Sequence, residues 1–273
     1  MYAVSDPLML KWLKAQAQKK IHVSLYFDPS TGNIESAPFF EAIPFKAQGL
    51  MHRKILIIDE HLVFLGSANM TSSSLLLHDN LTAGIYSPEL AQFLKDPLHH
   101  KPHIPRKKQP PTAKFIFQAG PQKAELFLLP DKSGEALNQL IHTIERASHT
   151  ISISMFTLTH PSLTAALIKA KNRGVDVTLC IDFYAGRGAS KKALSELKAA
   201  GIPILFSGGQ QLLHYKWALV DHHTLIFGST NWTQAAFAKN QDCLLFLEEL
   251  SSFQQSYLNK LWKIILSDCR ESP

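Results

Sequence analysis

The sequence is poor in cysteine. Cys180, Cys243 and Cys269 are odd in number and lack the paired spacing of a disulfide or metal framework. Cys180 and Cys243 lie inside apolar, strand-like runs, which reads as buried free thiols. No apolar run is long enough to span a bilayer. Met1 opens no secretory pattern, because no basic stretch is followed by an apolar one. These features assign the chain to no compartment. Acidic residues are the scarcer charge, 22 against 28 Lys and Arg, for a net charge of +6. That balance suits an anionic partner, either nucleic acid or a membrane surface bearing acidic lipid, and does not choose between them. Charged residues make up only 18% and hydrophobic ones 45%, which excludes a disordered chain and leaves enough apolar surface for a real core.

What is present is a duplication. His52-x-Lys54-x4-Asp59 is followed after a gap by Gly66-Ser67-Ala-Asn69. The same types return at one constant offset as His214-x-Lys216-x4-Asp221 and Gly228-Ser229-Thr-Asn231. A lone H-x-K on a strand is usually surface decoration; two matched copies are a repeated unit. The apolar runs Ile55–Ile58 and Trp217–Val220 are strand-like. Alternation along a strand puts each His and its Lys on one face. Two imidazoles, two ammoniums and two Asn amides suit an anion that one His attacks while the other handles a proton. Asp59 and Asp221 follow apolar strands and are assigned to fixing the local fold. Gly66 and Gly228 are read as permitting a tight turn, within which Ser67 and Ser229 hydrogen-bond.

Used as a ruler, the repeat aligns residues 1–28 with 155–182. In both copies a helix opens at a proline, Pro7 and Pro161, and a strand follows (His22–Phe27; Val175–Ile181). These are βαβ-type units with parallel strands covered by helices. The second copy starts earlier, with a strand (Ala124–Leu129), a helix and a second strand from Ile151. The first has no counterpart, so the first lobe is expected to lack an N-terminal strand–helix. Either the native protein is longer upstream, or this lobe is pared down and leaves an open sheet edge. Residues 28–52 are expected to be loop-like. The Tyr184–Gly188 insert is expected to be a Gly-rich connection, with a gating loop as the alternative. Residues 96–118, rich in Pro and base and including His99, His100, His103, Lys101, Arg106, Lys107 and Lys108, read as a stiff linker. The expected division is a first lobe over 1–95, that linker, and a second lobe over 119–273. A closing helix, Phe253–Leu266, is expected to bury a stripe of Phe253, Tyr257, Leu261 and Ile265.

The doubled H-x-K-x4-D with its trailing G-S-x-N resembles the signature of the phospholipase D superfamily, over nearly the whole chain. The resemblance implies two pseudo-twofold-related α-β-α lobes, forming an intramolecular pseudo-dimer so that a monomer holds one whole site. It implies a phosphodiesterase that forms a covalent phosphohistidine and needs no metal or other cofactor. It also implies an acidic residue eleven positions after the motif Asn, orienting the imidazole of the opposite lobe. That position is Asp242 in the second copy but Asn80 in the first. His52 is then the expected nucleophile, and His214, lacking a carboxylate, the proton donor. Lys54, Lys216, Asn69 and Asn231 are expected to hold the non-bridging phosphate oxygens. The leading substrate is a phospholipid of phosphatidylcholine or cardiolipin type at a membrane surface. A metal-independent endonuclease is the alternative. Phosphatidyl transfer and a catalytically silent binding protein stand behind both.

Overall fold

The computed structural model describes residues 1–96, 113–209 and 211–271. In the first lobe Pro7 opens α1 (Pro7–Gln18), whose free amides are capped by Asp6, Oδ1 accepting from Met9 N at 2.8 Å. Strands β1 (Val23–Phe27) and β2 (Phe40–Pro44) pair in parallel. The rest of the lobe is β3 (Ile55–Ile58), β4 (Leu62–Gly66), α2 (Ser72–Leu76), β5 (Thr82–Tyr86) and α3 (Pro88–Lys95). Strands β3, β4 and β5 form an antiparallel sheet of their own.

The second lobe opens with the hairpin β6 (Ala113–Ala119) and β7 (Gln122–Leu128), then α4 (Glu135–Arg146), β8 (Thr150–Met155), α5 (Pro161–Asn172) and β9 (Asp176–Ile181). It continues through α6 (Phe183–Arg187), α7 (Lys191–Ala199), β10 (Ile204–Ser207), β11 (Lys216–Val220) and β12 (Thr224–Gly228). It closes with α8 (Gln234–Ala238), β13 (Cys243–Leu247), α9 (Ser252–Asp268) and β14 (Cys269–Glu271). One sheet results, in the order β14-β10-β9-β8-β11-β12-β13-β7-β6. Within it β8 runs parallel to β9 and antiparallel to β11.

Strand alternation explains the layers. Ala218, Val220 and Ile226 face a core shared with Leu140 of α4, Leu163 and Leu167 of α5 and Leu197 of α7. Their neighbours Trp217, Leu219 and Phe227 face the opposite way, against Val63, Leu65 and Ile85 of the first lobe and Leu258 and Ile265 of α9. The two lobes thus share a buried apolar seam and not merely a hinge. The first lobe's remaining core is small: Met1, Val4, Leu13, Ala17, Leu25, Phe40 and Met70.

The two-lobed α/β architecture with an incomplete first lobe is present. The equivalent of β8 is missing between β1 and β3 among the described residues, so the first lobe's strands fall into two separate sheets. Residues 1–4 mark that position, Val4 bridging Met70 as Leu158 bridges Trp232.

Several expectations are corrected. Residues 28–52 are not all loop: β2 lies there, paired on β1. The end of the segment read as linker is β6, bonded to β7 along its length, because Phe115 and Phe117 supply strand-compatible apolar contacts that the Pro-rich composition upstream obscures. The three histidines and four basic residues singled out in that linker lie outside the described residues. The Tyr184–Gly188 connection is mostly helix α6, capped by Asp182 Oδ1 accepting from Tyr184 N and Ala185 N. On α9 the buried positions are Leu258 and Ile265, while Phe253 and Tyr257 are 79% and 56% exposed. A run of four-residue steps drifts roughly 40° per step around a helix. The stripe from Phe253 therefore winds off the contact face, which follows Leu258, Leu261, Trp262 and Ile265. All three cysteines are buried and free.

Candidate active site

Each motif histidine is fixed first by backbone from the other lobe. His52 N donates to Gln241 O at 2.8 Å and Gln241 N donates to Leu50 O at 2.8 Å. The mirror pair is His214 N to Asp79 O at 3.0 Å and Asp79 N to Leu212 O at 3.0 Å. Side chains then cross the same boundary. His52 Nδ1 lies 2.7 Å from Asp242 Oδ1, and His214 Nδ1 lies 3.0 Å from Asn80 Oδ1. Asn80 Nδ2 donates to Ser74 O at 2.9 Å and to His78 O at 3.1 Å, which turns its oxygen to His214. Both imidazoles therefore face acceptors through Nδ1–H, and Nε2 is left for chemistry. Lys54 Nζ donates to His52 O at 2.6 Å and Lys216 Nζ to His214 O at 2.8 Å. Both lysines are 2% exposed and both histidines 7%.

So dense a group of cations is costly without an anion. Burial lowers the Lys54 ammonium to about 7, against the pull of Asp242. Burial, then the neighbouring Lys54, hold Lys216 well below the usual lysine range. Burial and then Lys54 also lower His52, while Asp242 raises it. His214 is pushed far lower, by burial first and then by Lys216, Lys54 and His52, with no carboxylate beside it. Burial works against ionisation of Asp242, but His52, Lys54 and Ser229 hold its carboxyl below the ordinary range. An arriving phosphodiester monoanion favours the charged forms of the two lysines and two histidines and so offsets their penalties.

The supporting residues fall into place around this cluster. Ser67 and Ser229 do not bond within their own turns as expected. Ser67 Oγ donates to Asn80 Oδ1 at 2.8 Å and Ser229 Oγ to Asp242 Oδ1 at 2.6 Å, so each serine positions the residue that faces the opposite histidine. The glycines before them answer a close approach: a Cβ on Gly66 would lie 2.1 Å from Leu81 O, and one on Gly228 2.2 Å from Cys243 O. Asn69 and Asn231 each hold a buried side-chain oxygen with no hydrogen-bond partner among the described residues. Asp59 and Asp221, with Glu60 and His222 after them, sit at positive φ in the three-residue turns joining β3 to β4 and β11 to β12. Asp is among the residues that tolerate that conformation. Asp221 also accepts from the amides of Ser148, His149 and Thr150, each at 2.8 Å. Asp59 has no such side-chain bond among the described residues.

Two further duplicated pairs escaped the sequence reading. Asp28 Oδ2 accepts from Met51 N at 2.8 Å, and Asp182 Oδ2 from Leu213 N at 3.3 Å, each clamping the residue before a motif histidine. Tyr2 and Phe156 lie edge-on or tilted to His52 and His214, ring centroids 5.1 and 5.3 Å apart, and each ring sits under its lobe's lysine. The signal was the repeat itself, since both pairs match within the aligned segments. Arg53 has no basic counterpart; it reaches across to Gln241 Oε1 at 2.8 Å and Leu129 O at 3.2 Å. Among the described residues no group of three or more His, Cys, Asp or Glu is arranged to hold a metal ion. No helix among them is long and apolar enough to cross a membrane.

The family model described as "Cardiolipin synthase, PLD-like domain" matches residues 1–100 and 140–265. The mitochondrial cardiolipin hydrolase of Xenopus tropicalis is 26% identical over 171 residues, 58% of this chain and 80% of that one. The human mitochondrial cardiolipin hydrolase is 32% identical over 134 residues, 46% of this chain and 52% of that one, so the chain spans about half of its length. Among solved structures, Nuc of Salmonella typhimurium, a phospholipase D family member, is 28% identical with a TM-score of 0.51, covering 55% of this chain and 98% of that one. The phosphatidylserine synthase of Haemophilus influenzae has the same fold over 99% of this chain and 81% of that one, at a TM-score of 0.72 and 13% identity. With the family model covering both copies of the motif, the chain belongs to the PLD-like domain family of the phospholipase D superfamily.

Proposed function

We propose that this protein is a phosphodiesterase that hydrolyses a phospholipid, of cardiolipin or phosphatidylcholine type, through a covalent phosphohistidine. One observation carries the reading: two His–Lys pairs share one buried site, each imidazole held through Nδ1 by a side chain of the other lobe. His52 is the nucleophile. Its Nε2 attacks phosphorus while Nδ1–H donates to Asp242, which steadies the positive charge that builds on the ring. Lys54 and Lys216, with the Asn69 and Asn231 amides, hold the non-bridging oxygens. As the bound anion offsets the two ammoniums, His214 takes up a proton and delivers it to the leaving oxygen. It then removes one from the water that attacks the phosphohistidine. Because one chain supplies both halves of the site, a monomer suffices, and residues 1–95 and 113–273 act as the two halves of an intramolecular pseudo-dimer.

The cardiolipin hydrolases among the relatives favour lipid. Nucleic acid is the second reading, favoured by the match to Nuc. The test is incubation with cardiolipin-containing vesicles and with single-stranded DNA, in the presence of a chelator. Release of phosphatidic acid or phosphatidylglycerol from the vesicles supports the lipid reading. Cutting of DNA with no lipid product reverses it.

A further inference from the structure

The two lobes differ at one place on the rim of the site. Helix α2 and the residue after it carry Leu75, Leu76 and Leu77, which are 44%, 78% and 57% exposed. The matching residues of the second lobe are Phe237, Ala238 and Lys239. Phe237 is buried, but Ala238 and Lys239 are exposed even though that lobe has its full complement of strands and helices. Exposure at Leu76 and Leu77 is therefore a property of the position, not of the incomplete first lobe. Two large apolar side chains stand where the repeat tolerates a methyl group and an ammonium.

Their place relative to the chemistry is fixed by short steps. Leu77 runs into His78, whose ring lies 6.2 Å from that of His214. Asp79 then bridges Leu213, and Leu213 N donates to Asp182 Oδ2 at the start of α6. On α6 Tyr184 is 67% exposed, and the guanidinium of exposed Arg187 lies 4.3 Å from the Phe183 ring centroid. These contacts thus link protruding leucines of the first lobe to an exposed Tyr and Arg of the second. Apolar side chains entering the acyl boundary, with aromatic and basic groups at headgroup level, suit a bilayer surface. The net charge of +6 suits anionic lipid.

We propose that Leu76 and Leu77, with Tyr184 and Arg187 of the other lobe, form a docking surface for an anionic phospholipid bilayer, which presents headgroups to the site. The proposal rests on the phospholipid reading of that site and adds the surface that delivers it.

The second lobe supplies its own control. Leu76→Ala combined with Leu77→Lys installs the pair that already folds at Ala238 and Lys239, and it adds a positive charge. The full chain is sedimented with vesicles of phosphatidylcholine containing phosphatidylglycerol. The double variant should partition about tenfold less than wild type, since it loses most of two leucine side chains of apolar contact. It should hydrolyse the water-soluble bis(4-nitrophenyl) phosphate at the wild-type rate. Binding at the wild-type level or tighter would mean that charge alone holds the protein, and would overturn the proposal. So would weaker binding of single-stranded DNA with vesicle binding unchanged. A failure of the functional reading looks different: wild-type protein that partitions onto vesicles and cleaves the soluble diester, yet releases no lipid product.

Discussion

Asp242 and Asn80 stand at matching positions, take hydrogen bonds from matching serines, and face opposite histidines. One is an anion and the other an amide, so in the proposed mechanism the two imidazoles divide the work. Asp242→Asn should slow phosphoenzyme formation by roughly a hundredfold, because the charge building on His52 loses its counterion. The pH profile should move as well. Asp242 raises the His52 pKa against burial and Lys54, so removing its charge should shift the acid limb of kcat/KM to lower pH while the plateau falls. Asn80→Asp gives His214 an anion it lacks. Its pKa should rise, moving the basic limb to higher pH and making it a weaker proton donor. Rates on a diester with a good leaving group, across pH 4–9 or so, check both signs. At this scale the sequence carried much of the site. His52, Lys54, His214 and Lys216 were legible because residue type and spacing recur together. The bonds of Ser67 to Asn80 and of Ser229 to Asp242 were not, because a hydroxyl's partner is a matter of three-dimensional distance that no spacing records.

Elements show the limits of pattern more clearly. Helices α1 and α5 were legible from a proline at the first position in both copies of the repeat. Strand β6 was not, because a Pro-rich, basic stretch precedes it and its partner β7 begins only after a two-residue turn. The burial face of α9 was misplaced because an i+4 run drifts around a helix, and only packing decides which residues face the sheet. The motif aspartates give an energetic test of lobe asymmetry. Burial opposes the Asp221 charge, but amides of Ser148, Thr150 and His149 outweigh it and lower the pKa. A lowered folded-state pKa contributes stability that is present above the unfolded value and lost as pH falls through the folded one. Asp221→Asn should therefore cost about 1–3 kcal/mol at neutral pH, and less in acid. Asp59→Asn, with no such amides to lose, should leave stability within about 0.5 kcal/mol of wild type. Denaturant titrations at pH 7 and in acid compare the two.

For the whole molecule, the point is that neither lobe owns both a motif histidine and the side chain that faces it. His52 and Lys54 come from the first lobe with Asp242 from the second, and His214 and Lys216 from the second with Asn80 from the first. An apolar seam between the lobes holds this arrangement in place. Turnover should survive exhaustive chelation, because two lysines already supply the positive charge a phosphate needs; loss in chelator with recovery on a divalent ion would contradict it. In light scattering the active species should be the 30.5 kDa monomer. The division of labour between the histidines is tested most directly by trapping the intermediate. A phosphodiester labelled on the retained phosphoryl group, quenched during turnover and mapped by peptide, should place the label on His52. His214→Ala should still form that adduct with a good leaving group, and His52→Ala should form none. Label on His214 in the wild-type protein would contradict the account.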